Sequence, residues 1–128
     1  MTTQLPAWSD EATTIAEMLT ALRAFVRDRD WKQFHDVKNL SMAVASEAAE
    51  LMAHFRWTPS ESADDVLRDE RSCSQVREEV ADVMMLLLEF ADLAKIDVAA
   101  AVRDKLEANE KKYPIDKAKG SAAKYDRL

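Results

Sequence analysis

Residues that break helices are almost absent from this sequence. Its 128 residues contain one glycine, Gly120, and three prolines, Pro6, Pro59 and Pro114. Glycine and proline supply most turns, whereas the alanine, leucine, glutamate, methionine, lysine and arginine that dominate here are good helix formers. The composition therefore favours an all-α fold, and the length suits one domain with a single hydrophobic core.

Apolar residues recur at helical spacing in four segments of the chain. The first helix is expected to begin after Ser9 or Asp10, because either residue can cap it. The second is expected to span roughly 39–55 and the third about 73–95, and Asp97 is expected to cap the fourth. The pattern predicts a bundle of four to five helices.

The third predicted helix is apolar on nearly every side between Val80 and Leu93. A helix of this kind is buried all round, and a single chain of 128 residues can hardly supply enough cover for it. We therefore expect the bundle to assemble as a homo-oligomer, either a dimer or a tetramer.

Charge and cysteine content exclude several classes of function. The formal net charge of −6 argues against a nucleic-acid partner, because binding to a phosphate backbone depends on basic side chains. The opening residues form no basic-then-apolar signal, and no apolar run reaches the roughly 18 residues that span a bilayer. We therefore expect a cytoplasmic protein with no membrane partner. Cys73 is the only cysteine, which excludes an intramolecular disulfide and a cysteine-based metal site.

The C-terminal residues differ in charge from the rest of the chain. From Lys111 onward, six basic residues stand against two acidic ones. We expect a single all-α domain at 1–115, followed by a basic, mobile tail at 116–128.

Two acidic pairs lie within apolar helical runs. Glu47 and Glu50 form the first pair, Glu79 and Asp82 form the second, and 28 residues separate them. At an i, i+3 spacing both carboxylates of a pair project from one side of a helix, so two packed helices would bring four acids together. Four such charges repel one another unless a cation lies between them. Clustered oxygen ligands suit Mg²⁺, or else Mn²⁺, and not zinc.

Glu47 is the most constrained of the four acids. It falls at the middle of the apolar arc of the second helix, between Ala43, Leu51 and His54. An unpaired buried carboxylate is unfavourable, so Glu47 is expected to be neutral, paired or metal-bound. His54 shares this face, and we interpret it as a core histidine hydrogen-bonded to a neighbour and not as a ligand.

The acidic pairs and the runs beside them, taken in order, resemble the MazG-like all-α nucleoside triphosphate pyrophosphohydrolases, and within them the dCTP pyrophosphatase branch. One acidic pair alone would indicate only a solvated helix face. The resemblance covers about 11–115. The flanking runs that carry it are Arg29-Asp-Trp31-Lys-Gln-Phe34-His35 with Lys38-Asn39-Leu40, and Lys105 through Asn109 to Lys112-Tyr113-Pro114.

This resemblance implies an activity and a metal. The activity is hydrolysis of a (deoxy)nucleoside triphosphate, dCTP or a modified cytosine nucleotide, to the monophosphate and pyrophosphate, which would clean the nucleotide pool. It requires Mg²⁺. Catalysis and metal binding both fall, by the match to the family motif, on Glu47, Glu50, Glu79 and Asp82.

The resemblance also implies residues that bind the substrate. It places Trp31 and His35 near the base, where an aromatic plane can stack. The further candidates offer stacking, charge or an amide hydrogen bond, and they are Trp57, Lys38, Lys112 and Asn109.

One position departs from the family pattern. Many relatives carry an aromatic residue, usually tyrosine, four residues after the last acid of the motif, where this chain has Leu86. The preferred base and sugar therefore stay open. An alternative is a non-catalytic helical nucleotide-binding or interaction module of the same fold. We interpret Glu78 and Glu89 as surface residues or as residues that support the site indirectly.

Overall fold

The computed structural model describes residues 4–128, and in this part of the chain every regular element is helical. The predicted all-α fold is therefore confirmed. Four helices are long and two have only four residues each. In chain order the six are α1 Ile15–Asp28, α2 Val37–Ala53, α3 Asp65–Arg68, α4 Glu70–Leu93, α5 Val98–Lys112 and α6 Ile115–Ala118.

The chain divides into two compact units. The first ends at Ala94 and contains α1 to α4, and the second is Lys95–Leu128 with α5 and α6. Within the first unit α2 packs along α4, and α1 and α3 also contact α4. No helix in the described part of the chain combines the length and the apolar character needed to cross a membrane.

The prediction that α1 starts after Ser9 or Asp10 is wrong, because α1 begins at Ile15 with Thr14 as its cap. The Thr14 hydroxyl accepts a hydrogen bond from the backbone N–H of Glu17, and the Glu17 carboxylate accepts one from the backbone N–H of Thr14 at 2.7 Å. This reciprocal capping box satisfies two helix N–H groups at once. Ser9 instead accepts backbone hydrogen bonds from a separate turn before the helix.

Aspartates cap the two helices that carry the acidic pairs. Asp36 accepts a hydrogen bond from the backbone N–H of Asn39 at 2.7 Å, and α2 therefore begins two residues before the predicted start. Asp69 accepts one from the backbone N–H of Ser72 at 2.9 Å and sets the start of α4. The two caps fix where the helices start, and so where their acidic pairs stand along each axis.

The core of the first unit is small. Leu40 of α2 and Leu88 of α4 are the most deeply buried large side chains, each 2% exposed. Val80, Met84 and Leu87 of α4 are close to half exposed, at 50%, 46% and 45%. The expectation that α4 is buried all round is therefore not met by the chain alone, which leaves an apolar stripe uncovered.

In the second unit α5 begins as predicted, because Asp97 caps it by accepting a hydrogen bond from the backbone N–H of Ala100. The helix ends at Lys112. Beyond it, α6 and a short 3₁₀ turn follow, and the ring of Tyr125 in that turn meets the edge of Tyr113 at 6.1 Å. The division into a domain at 1–115 and a tail at 116–128 stays a prediction.

Candidate metal centre

Three of the four predicted acids meet between α2 and α4. Each of Glu47, Glu50 and Glu79 offers a carboxylate oxygen, and these oxygens all lie within 4.8 Å of one another. Glu47 and Glu79 are half-buried, whereas Glu50 is exposed. Asp82 is exposed and lies outside this group, although it is near enough to act electrostatically on Glu47.

The acids of the cluster repel one another. The pKa of Glu47 is raised, first by its partial burial and then by the negative charges of Glu50, Asp82 and Glu79. A raised carboxyl pKa means that the ionised form is disfavoured where it stands. A divalent cation with a preference for oxygen would reverse this by accepting the same carboxylates as ligands. The residues present therefore fit Mg²⁺ or Mn²⁺.

His54 caps the C-terminal end of α2 beside this cluster. Its Nε2 lies 3.8 Å from Glu79 Oε1, which is too long for a hydrogen bond. Glu79 is therefore not the hydrogen-bonded neighbour that the interpretation of His54 requires, and that interpretation stays a prediction.

Two of the predicted base-binding residues lie together. Trp31 is 43% exposed, and its ring centroid is 6.2 Å from that of His35. Trp31 also meets Phe25 of α1 edge to face at 5.6 Å, which holds its ring in place. Trp57 lies beyond the end of α2, is 85% exposed, and has the guanidinium of Arg56 5.3 Å from its ring centroid.

The other substrate candidates are distributed over both units. Lys38 is exposed in the first turn of α2. Asn109 is half-buried on α5, and Lys112 at the end of α5 places its Nζ 5.0 Å from the ring centroid of Tyr125. Asn109 and Lys112 belong to the second unit.

A cavity of about 340 Å³ opens between α1, the turn at residues 31–33 and the end of α4. Volumes of this size accept small molecules. The cavity lies entirely within the first unit. Its lining combines apolar side chains with charged ones from both helices, and it consists of Leu19, Leu22, Arg23, Val26, Arg27, Lys32, His35, Glu89, Asp92 and Leu93.

Glu89 is the residue whose placement the sequence did not reveal. Its side chain is 15% exposed and its Oε2 lies 2.9 Å from His35 Nδ1, so it is not the surface residue that one of the two interpretations predicts, whereas the supporting role stays a prediction. Burial raises the pKa of Glu89, and the neighbouring His35 opposes that rise. The one signal available in the sequence was the seven-residue step from Asp82 to Glu89, which puts both on one face of a helix.

These features define a class: an all-α protein with a carboxylate cluster between two packed helices and a small-molecule cavity beside it. A sequence profile of the MazG-like family matches residues 42–128. A pyrophosphatase from Archaeoglobus fulgidus, solved as a crystal structure, is 37% identical, and the match covers 87% of this chain and 99% of that one with a TM-score of 0.74. The chain belongs to the MazG-like family.

Two mammalian relatives extend this comparison. The dCTP pyrophosphatase 1 of Bos taurus is 35% identical over 104 residues, which are 81% of this chain and 62% of that protein. The protein of the same name from Homo sapiens is 33% identical over 104 residues, 81% of this chain and 61% of that protein. The chain therefore spans about three fifths of the length of these curated relatives.

Proposed function

We propose that this protein hydrolyses a (deoxy)nucleoside triphosphate, namely dCTP or a modified cytosine nucleotide, to the monophosphate and pyrophosphate with Mg²⁺, or alternatively Mn²⁺. The observation that carries the proposal is the meeting of Glu47, Glu50 and Glu79 between α2 and α4. The similarity to dCTP pyrophosphatase 1 supports the substrate class. In this reaction a water molecule adds to phosphorus, and the bridge between the α- and β-phosphates breaks.

In this proposal Glu47, Glu50 and Glu79 hold the metal, and Asp82 adds a fourth carboxylate one turn further along α4. A divalent ion held by these carboxylates would neutralise phosphate charge and make water a better nucleophile. A triphosphate and four carboxylates repel each other, so the acids that bind metal also make substrate binding depend on metal. The exposed carboxylates Glu50 and Glu78 are the candidates to accept the proton of the attacking water.

The remaining residues bind the nucleotide. Trp31 has a partly exposed ring fixed against Phe25, and this suits it to stack on a base, as the exposed ring of Trp57 also can. The ammonium groups of Lys38 and Lys112 attract phosphate, and the Asn109 amide can donate to phosphate or ribose. The all-α region 1–115 would form the catalytic domain in this proposal, with 116–128 as a basic tail.

We further propose a homo-oligomer in which a second copy covers the apolar stripe of α4. Val80, Met84 and Leu87 follow an i, i+4, i+7 pattern and so share one face of the helix. Each is close to half exposed in the single chain. A contiguous apolar stripe of this kind is typical of a protein–protein contact.

A nucleotide panel tests the activity. Purified protein is incubated with each of the common ribo- and deoxynucleoside triphosphates and Mg²⁺, and monophosphate and pyrophosphate are measured. Turnover that needs Mg²⁺, stops with chelator and disappears in Glu47→Gln supports the proposal. Glu70→Gln makes the same chemical change at an exposed position of α4 and serves as the matched control. The absence of turnover by folded protein would reject the proposal in favour of a non-catalytic module.

A further inference from the structure

The cavity beside the metal centre contains one acid that is not held by a strong cation. Asp92 is bound by Arg23, whose Nε donates to Asp92 Oδ2 at 2.8 Å and whose Nη2 donates to the other oxygen. This pairing lowers the pKa of Asp92 and commits both of its oxygens. Glu89 contacts the imidazole of His35 through Oε2. Its second oxygen accepts no hydrogen bond from any residue that the structure describes.

The His35–Glu89 contact has unused hydrogen-bonding capacity. His35 Nδ1 is buried, and although Glu89 Oε2 is 2.9 Å away, this nitrogen has no partner of hydrogen-bonding geometry among residues 4–128. Buried polar atoms in native proteins are nearly always paired. A cavity lined by this nitrogen and by the carboxylate beside it is therefore suited to a ligand that brings its own polar edge.

The position of the cavity relates it to the acid cluster. Glu89 follows Asp82 by seven residues on α4, which is about 10 Å along the axis and within about 20° around it. His35 lies one residue before the cap of α2, the helix that carries Glu47 and Glu50. The cavity is thus lined by residues of α4 and by a residue just before α2, the two helices that form the metal centre. A nucleotide held by its phosphates at the acids carries its base away from them, beyond the sugar.

We propose that this cavity receives the base of the nucleotide, and that Glu89 selects a base with an exocyclic amino group by accepting a hydrogen bond from it. The inference rests on the proposed function, because it names the residue that chooses among the nucleotides hydrolysed at that site. Cytosine presents an amino donor where thymine and uracil present a carbonyl acceptor. A carboxylate accepts from the first and repels the second, so Glu89 discriminates by attraction and by repulsion.

His35 acts as a positioning residue in this arrangement. Partial burial alone favours a protonated Glu89. A protonated carboxyl could donate to a carbonyl, and this would weaken the discrimination between cytosine and thymine. The imidazole beside Oε2 opposes that effect and favours the acceptor form. Leu19, Leu22 and Val26 give the cavity part of its lining as apolar surface, and a less polar surrounding strengthens a hydrogen bond to a charged group.

Substitution of Glu89 tests the assignment. The ratio of kcat/KM for dCTP to that for dTTP is measured in the unchanged protein, in Glu89→Gln and in Glu70→Gln. An amide can turn to donate or accept, so Glu89→Gln should lower the ratio by about tenfold to a hundredfold, the range expected for a hydrogen bond to a charged group. Glu70→Gln, an exposed site on the same helix, should keep the original ratio. An unchanged ratio in folded Glu89→Gln overturns the inference.

A second measurement needs neither turnover nor a stable variant. Titration calorimetry of the unchanged protein compares dCMP, dTMP and the monophosphate of 2-pyrimidinone deoxyriboside, which lacks the amino group of cytosine. We expect dCMP to bind about tenfold or more tightly than either of the others. Equal binding of the three overturns the inference even if the enzyme hydrolyses nucleotides. Absence of turnover of every triphosphate, with dCMP still preferred, would overturn the proposed hydrolysis and leave the assignment of Glu89 standing.

Discussion

Truncation of Leu88 tests the packing that holds the α4 face in place. Leu88 is 2% exposed and stands next to Glu89, so Leu88→Ala removes a fully buried side chain and leaves a void. Such substitutions lower the free energy of unfolding by about 2–5 kcal/mol, and we take about 3 kcal/mol here. With an unfolding entropy of roughly 2.1 cal/mol/K per residue, a loss of this size lowers Tm by about 10–15 °C for a cooperative unit of about 95–130 residues.

The neighbouring Leu87 supplies a matched control, because it undergoes the same truncation on the same turn of α4 at 45% exposure. Thermal unfolding followed by circular dichroism is measured for both variants over a range of protein concentrations. The loss for Leu88→Ala should not vary with concentration. The loss for Leu87→Ala should be small at low concentration and should grow with it if a second copy covers this side chain. An equal, concentration-independent loss in both variants would refute the assignment of Leu88 to the core and Leu87 to the uncovered stripe.

Three further predictions concern the metal, one ion pair and one helix cap. Mg²⁺ at about 100 times its Kd should stabilise the protein by about 2.7 kcal/mol, and Glu47→Gln should abolish this shift in thermal melting. Arg23 lowers the folded-state pKa of Asp92, so the stability from this pair is lost as pH falls from the ordinary aspartate pKa toward the lowered value. In Asp92→Asn the urea denaturation midpoint should therefore change less with pH over that window. An unchanged dependence of the midpoint on pH would contradict this prediction. Thr14→Ala should lower stability by about 1 kcal/mol in urea titrations, whereas Ser9→Ala should not.

Helical period was enough to predict the four long helices, but not where the first one starts. Ser9, Asp10 and Thr14 are all good caps by residue type. Thr14 is the residue with a glutamate three positions later, and this reciprocal pair decides the start. The start of α4 at Glu70 was placed three residues late for a related reason, since several polar residues before Cys73 could end the preceding loop.

The candidate metal centre and the cavity differ in how far sequence can predict them. Glu47, Glu50 and Glu79 lie on two helices whose pairing follows from their apolar arcs, so local spacing indicated that they would meet. His35 lies in the segment between α1 and α2, and the packing of both helices against α4 brings it to Glu89. No local pattern encodes that contact, because neither residue belongs to a repeating motif.

The face of α4 that joins the two sites also accounts for the departure at Leu86. Asp82, Leu86 and Glu89 follow an i, i+4, i+7 pattern, so they lie along one side of the helix from the acid cluster toward the cavity. Leu86 carries no hydrogen-bonding atom, and it is half-buried between two acids. A ligand that spans this face must therefore carry anionic groups that bind metal at one end. Its middle part must be weakly polar, and its other end must form hydrogen bonds. If the cavity receives the base as proposed, polar recognition along this face beyond Asp82 depends on Glu89, one turn past Leu86.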